Sequence, residues 1–179
     1  MKIRINYVFL LFFLFITTIK SQSMQFGLRL EPGFLITEEN KSTEISFSPF
    51  SVYLSAAYIP IDWLNIEVRP GYFAAGEEYS GLEFGAFCKF IIPNTKFQII
   101  AGFNNHNNTG TGHNGGGSIE KNILYKGIGI GFNKDSKLYI DLMYYWTNDK
   151  EFAYTGYPIS YKKMNGILKI GIGFAWNIL

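Results

Sequence analysis

His106 and His113 are the only histidines of the 179-residue chain, and both fall in the Asn-, Gly- and Thr-rich segment 104–118. Imidazoles are zinc ligands, but a zinc site needs three or four ligands. That segment contains no Cys, Asp or Glu, so no metal site is expected. Its glycines, Gly110, Gly112 and Gly115 to Gly117, lack the lysine of a phosphate-binding loop. His106, Ser118 and Glu120 are the residue types of a hydrolase triad. No motif supports the trio, and the segment reads as an outside loop. Cys88 is the single cysteine. It cannot form an internal disulfide and reads as a small buried apolar residue. The sequence therefore assigns no catalytic, cofactor-binding or metal-ligating residue, and the chain is not expected to be an enzyme.

Charged residues carry a clearer pattern. Leu28-Arg29-Leu30-Glu31-Pro32-Gly33-Phe34 echoes Ile66-Glu67-Val68-Arg69-Pro70-Gly71-Tyr72 at an offset of 38 residues, with the charges exchanged. On strands running the same way at similar heights, Arg29 would face Glu67 and Glu31 would face Arg69. Buried charges must be paired. Glu83, Lys89, Lys96, Asp141 and Lys169 alternate with apolar neighbours in the same manner, giving five positive and four negative inward groups in all. The expectation is a self-neutralising ion-pair cluster that fills a lumen. A pore selective for one sign of ion would show a single-sign ring.

The elements that position these charges have period two. The last of them, 164–179, sets Leu168, Ile170, Ile172, Phe174, Trp176 and Ile178 on one face, and Lys169, Gly171, Gly173, Ala175 and Asn177 on the other. A bulky apolar face opposite a glycine-rich one is a strand whose outside meets lipid. Seven more runs alternate likewise, over 25–36, 45–58, 64–74, 82–91, 96–103, 119–132 and 137–146. Connections 59–63, 92–95 and 133–136 are short, whereas 37–44, 75–81, 104–118 and 147–163 are longer and more polar. Membrane barrels alternate tight periplasmic turns with longer outer loops in this way. Parity slips in two runs: Ile45 and Phe47 are odd where Phe50 and Val52 are even, and Ile123 and Tyr125 are odd where Ile128 and Ile130 are even. A β-bulge near Pro49 and another near Lys126-Gly127 would restore one lipid face. The second would spare Lys126 a mid-depth position in hydrocarbon, which costs about 2–4 kcal/mol. Lys126 is thus expected to turn inward or snorkel. Inward glycines 127, 129, 131, 171 and 173 flank a run whose inward face carries Tyr139, Met143 and Tyr145, leaving room for those side chains.

Lys2 and Arg4 precede an unbroken apolar run from Val8 to Ile16. The run is too short to span a bilayer as a helix and reads as a signal peptide over 1–23, cleaved between 21 and 24. No cysteine lies nearby, which disfavours a lipid anchor. The segment contains three basic residues and no acid, so 13 of the 16 basic residues and all 14 acidic ones remain, a net charge of −1. Nothing there argues for nucleic acid. Aromatic residues make up 18% of the chain, as girdled barrels require. Residues 24–179 read as one all-β domain: an eight-stranded antiparallel up-and-down transmembrane β-barrel.

Residues 24–179 resemble the small outer-membrane β-barrel proteins of the OmpA/OmpX type. The alternating strands, the turn and loop asymmetry and the closing Gly-Ile-Gly-Phe-Ala-Trp-Asn-Ile-Leu, 171–179, carry the resemblance. It implies that Phe174, Trp176, Ile178 and Leu179 form a terminal signal read by the barrel-assembly machinery, with Leu179 where an aromatic residue is usual. It further implies export to the outer membrane of a Gram-negative-type bacterium and contact with its lipid. An extracellular partner would meet loops 104–118 and 147–163, the second carrying Phe152, Tyr154, Tyr157 and Tyr161. The expected role is non-enzymatic, structural or surface-interacting. A narrow pore for small or apolar solutes and a rim enzyme acting on lipid are the alternatives.

Overall fold

The computed structural model describes residues 23–112, 115–133 and 137–178. Residues 1–22 of the proposed signal peptide, His113 and Leu179 lie outside them. The described residues form strands β1 (Ser23–Leu30), β2 (Gly33–Glu39), β3 (Ser42–Ser48), β4 (Phe50–Ile61), β5 (Leu64–Ala74), β6 (Ser80–Ile91), β7 (Phe97–Asn108), β8 (Gly116–Ser118), β9 (Lys121–Asn133), β10 (Leu138–Trp146), β11 (Glu151–Thr155) and β12 (Ser160–Asn177). Among them no helix is long and apolar enough to cross a membrane.

The strands assemble as eight antiparallel staves. β1 and β2 form the first and β3 and β4 the second, and both halves of the first stave pair with β12 to close the barrel. Partners followed once round the wall run from Asn177 through Gln25, Ala57, Glu67, Phe87, Gly102, Gly127 and Tyr145 to Ile167, ten residues up the starting strand. Eight staves with that stagger tilt by about 40°, and their interior is only wide enough for side chains to fill. The outer wall is apolar from Phe26, Leu28 and Leu30 round to Ile170, Ile172, Phe174 and Trp176, all exposed. This is the lipid-facing belt of an eight-stranded transmembrane barrel.

Proline and glycine set the local departures from a plain ladder. Leu30 pairs with Val52 and Gly33 with Ser48, so the second stave spends one more residue than the first, and the bulge lies at Pro49 as its missing N–H demands. The other expected bulge is absent. β9 keeps one register against β7 from Lys121 to Phe132 and one against β10 from Lys126 to Asn133. Lys126 therefore points outward, and Ile123 and Tyr125 point inward, 0% and 1% exposed. The parity reading failed because the upper lumen is itself apolar, so hydrophobicity there does not mark the lipid side. Depth resolves the cost of Lys126. Each step along a line of partners climbs about 3 Å at that tilt, which lifts Lys126 about 20 Å above the level of Asn177. It lies beside Trp146 and Phe103, at the outer aromatic girdle, where a lysine costs only about 0–1 kcal/mol.

The outer connections are more ordered than their composition suggests. Segment 37–44 is a hairpin of β2 and β3 closed by Asn40 and Lys41, with φ of 50° and 66°. Two successive left-handed residues make the two-residue turn that matches strand twist. β8 and β11 lie in segments expected to be loops and extend the wall beyond the membrane. Residues 104–108 belong to β7. Cys88 is outward and exposed, not buried.

The expected seating of rings on glycine is met at two sites. A methyl group on Gly173 would strike the ring of Tyr139, and one on Gly127 would come within 2.7 Å of Tyr145. Gly173→Val is expected to cost about 1–3 kcal/mol through overpacking. Urea unfolding in phospholipid vesicles measures this, and an unchanged midpoint would contradict it.

Candidate functional site

The inward face of the barrel concentrates the buried chemistry of the chain. Arg29, Glu31, Glu67, Arg69, Lys89 and Asp141 meet at mid-height, none more than 3% exposed. Alternation along β1, β5, β6 and β10 turns all of them inward except Glu31, which continues β1 at the break before Pro32. The Arg29 guanidinium contacts Glu31 at 2.6 Å, Asp141 at 2.6 Å and Glu67 at 3.8 Å. Arg69 contacts Glu67 at 2.8 Å, Glu31 at 3.2 Å and Asp141 at 3.3 Å. Lys89 closes on Glu67 at 2.6 Å. The two pairs expected from the echoed motif both form, and each arginine also bonds to the acid two residues away on its own strand. Asp141 on β10 bridges the two arginines. Its side chain fits because Gly171 faces it: a methyl group there would strike both Asp141 and Arg29.

A second group lies above. Glu83 accepts from Lys169 at 2.6 Å, Tyr53 at 2.5 Å and Asn104 at 2.7 Å, and its other oxygen lies 3.1 Å from His106 Nδ1. His106 was expected in an outside loop. It lies instead on β7, fully buried, with its ring stacked at 4.1 Å on Tyr79 and edge-on to Phe73. The polar run Asn104-Asn105-His106-Asn107-Asn108 reads as loop by composition. Its alternate members turn inward, where Glu83, Ser118 and backbone carbonyls pair with them, and its other members stand near or above the lipid, so neither face needs to be apolar. The signal available was period two: Asn104, His106 and Asn108 continue the inward parity of Gln98 and Ile100.

Lys96 does not join these groups. It stands exposed in the turn before β7, where the chain has left the lumen. Without it, the buried charges balance: Arg29, Arg69, Lys89 and Lys169 against Glu31, Glu67, Glu83 and Asp141. The cations are also packed on rings, Arg69 over Phe87 at 4.3 Å and Lys169 over Phe73 at 4.2 Å.

Beside and above the charges, apolar side chains fill most of the remaining lumen. Leu35, Phe73, Tyr79, Phe87, Ile100, Ile123, Tyr125, Met143, Tyr145, Phe152, Met164 and Ile167 form one buried cluster. Tyr79 donates to Tyr125 at 2.8 Å. Burial, helped by Tyr125, pushes the Tyr79 hydroxyl well above the usual tyrosine range, so it stays a neutral donor. At the inner mouth, Gln25, Ser55, Asn65, Gln98 and Tyr139 leave a cavity of about 10 Å³, room for about one water. An outer vestibule of about 190 Å³ lies over Tyr79 and Phe152, rimmed by Glu39, Glu44, Glu78 and Lys162. Lys162 bonds to both oxygens of Glu78.

The candidate triad is not assembled. His106 turns to Glu83, whereas Ser118 Oγ accepts from Asn108 at 2.9 Å. Among the described residues no group of three or more His, Cys, Asp or Glu side chains is placed to hold a metal ion. Phe174, Trp176 and Ile178 are exposed on the outer wall at the inner end of the last stave.

Such burial sets the energy scale. Removing one partner of a buried pair leaves an uncompensated charge, at about 3–5 kcal/mol. An exposed pair contributes about 0–1 kcal/mol. Arg29→Met is therefore expected to cost several kcal/mol. Lys121→Met, which breaks the exposed Lys121–Asp149 pair, should cost less than one. Equal shifts of the two unfolding midpoints would contradict this.

No protein-family model matches the sequence, and no curated protein matches it. Solved structures similar to the chain in fold include Neisserial surface protein A, at 14% identity and TM-score 0.46, over 83% of this chain and 96% of that one. Ail, the attachment invasion locus protein of Yersinia pestis, is similar at 14% identity and TM-score 0.41, over 87% and 97%. The N-terminal β-barrel domain of Pseudomonas aeruginosa OprF is similar at 13% identity and TM-score 0.47, over 84% of this chain and 97% of that domain.

Proposed function

We propose that the protein is a closed outer-membrane barrel that conducts no ions and catalyses no reaction, and that serves as a rigid mount for its outer rim. The observation that carries this reading is the filling of the lumen. A neutral ion-pair layer spans the middle, and aromatic and aliphatic side chains close the outer half. A desolvated, internally paired layer offers a permeating ion no unpaired charge to replace its water. A rim of ordered strands then presents Tyr154, Tyr157, Ile159 and Tyr161, with Tyr157 99% exposed. Exposed aromatic and aliphatic groups beyond the membrane suit a protein or glycan partner. On this reading an extracellular partner meets 154–161 rather than 104–108, since the latter residues form wall.

The same reading has residues 1–23 direct export and leave at cleavage. Phe174, Trp176, Ile178 and Leu179 then act as the assembly signal, the outward side chains of the first three meeting the assembly machinery before they meet lipid. The lumen charges play a structural part: they fix the order and stagger of the staves.

Planar-bilayer recording tests the closed lumen. The purified protein is expected to give no steady openings, and neither is a Phe73→Gly/Tyr79→Gly/Phe152→Gly variant, which opens the outer half but leaves the ion-pair layer across the middle. Stable unitary conductance from the unaltered protein would overturn the reading.

A further inference from the structure

The lipid-facing wall is not uniformly bulky. Across β5, β6, β7 and β9 the outward positions include Ala86, Cys88 and Ala101, and these small side chains leave a groove of about 580 Å³. Ile66, Phe90 and Phe103 form its sides. Its lining is almost wholly apolar except at one end, where Lys126 stands. The barrel geometry gives the groove a direction. With partners climbing about 3 Å per step and residues about 2.5 Å along each tilted strand, Lys126 lies about 15 Å above Phe90. By the same steps Ala86, Ala101 and Cys88 lie about 6–11 Å below Lys126, so the floor falls within one leaflet of a ~30 Å core. Phe90 closes the lower end of the groove against Trp63 of the inner turn, and its cation stands at the outer girdle beside Trp146.

Lys126 has no acidic partner among the described residues, in contrast to Lys121, Lys162, Lys169 and Lys89, each of which touches a carboxylate. Outward residues near it are apolar, aromatic or amide: Leu124, Ile128, Phe103, Asn105 and Trp146. A cation at that depth, facing lipid and unpaired within the protein, is matched by a phosphate at headgroup level.

We propose that this groove seats one phosphate-bearing lipid of the outer leaflet, its acyl chain lying over Ala86, Cys88 and Ala101 and its headgroup phosphate meeting the Lys126 ammonium. Three features specify that occupant. The smooth small-residue floor accepts a flexible chain. The depth of that floor below the cation matches a chain held upright in one leaflet. The single cation lies at the end where the headgroup must be. A second copy of the protein would instead need a flat or complementary wall and would bring another Lys126 or further apolar surface to this one.

The test uses the full barrel refolded in phosphatidylcholine vesicles containing a small fraction of spin-labelled lipid. Electron spin resonance reads the motionally restricted fraction with labelled phosphatidic acid and with labelled phosphatidylcholine. Wild type is expected to favour the phosphatidic acid about fivefold, the value of one lysine near a charged surface. Lys126→Gln should abolish that preference without altering the heat-modifiable gel shift of the folded barrel. Ala101→Trp, which fills the groove and keeps the lysine, should reduce the restricted fraction of both lipids. Equal association of the two lipids with wild type, or a preference that survives in Lys126→Gln, would overturn the proposal. So would efficient Cys88–Cys88 cross-linking in dilute vesicles, since Cys88 lies on the groove floor and its joining would mean that a second copy occupies it. None of these readouts depends on whether the lumen conducts.

Discussion

The structure depends on burying eight formal charges inside a barrel too narrow to hydrate them. Each of Arg29, Arg69, Lys89 and Lys169 has a carboxylate within 2.8 Å, and none of the four has appreciable contact with solvent. Coulombic attraction in a dry lumen is strong, but the desolvation it must offset is of similar size, so the pairs contribute mainly specificity. A stave slipped by one residue would turn its charges into lipid and its apolar groups into the lumen. The network thus penalises every register but one, and it does so at the level where β1, β5, β6, β10 and β12 must all agree.

That constraint accounts for the rest of the lumen. The centre is polar because the two arginines need three acids between them, and Asp141 reaches them only because Gly171 lies opposite. Further outward only the Glu83–Lys169 pair remains, and the space around and above it is filled by rings and by Met143, Met164 and Ile167. His106 and Tyr79 form the seam between the layers: one ring nitrogen faces Glu83 while the ring faces lie among aromatics. The outer wall answers to lipid alone, and that is where large side chains accumulate.

Most of the membrane-spanning architecture was legible in the alternation itself. β5 spans the residues expected, 64–74, and the echo at an offset of 38 residues pointed to the contacts of Arg29 with Glu67 and of Arg69 with Glu31. Pro49 announced its bulge because a proline cannot donate to the ladder. Legibility failed where one face did not contrast with the other. In β9 the inward Ile123 and Tyr125 are as apolar as a lipid face, which mimicked a parity slip. In β7 both faces are polar above the lipid, which mimicked a loop and hid His106. Lys96 shares its parity with the lumen residues, but the turn takes it out of the wall. The role of Asp141 as the bridge between arginines was hidden because no local pattern states which staves are adjacent across the lumen.

If the lumen pairs act as coupled units, a double-mutant cycle on Glu83 and Lys169 reads that coupling. Glu83→Gln and Lys169→Met each strand one buried charge, whereas the double variant removes both. Unfolding free energies in vesicles are predicted to show the double variant less destabilised than the sum of the singles by more than about 1 kcal/mol, the range of contacting residues. Strictly additive effects would contradict the account.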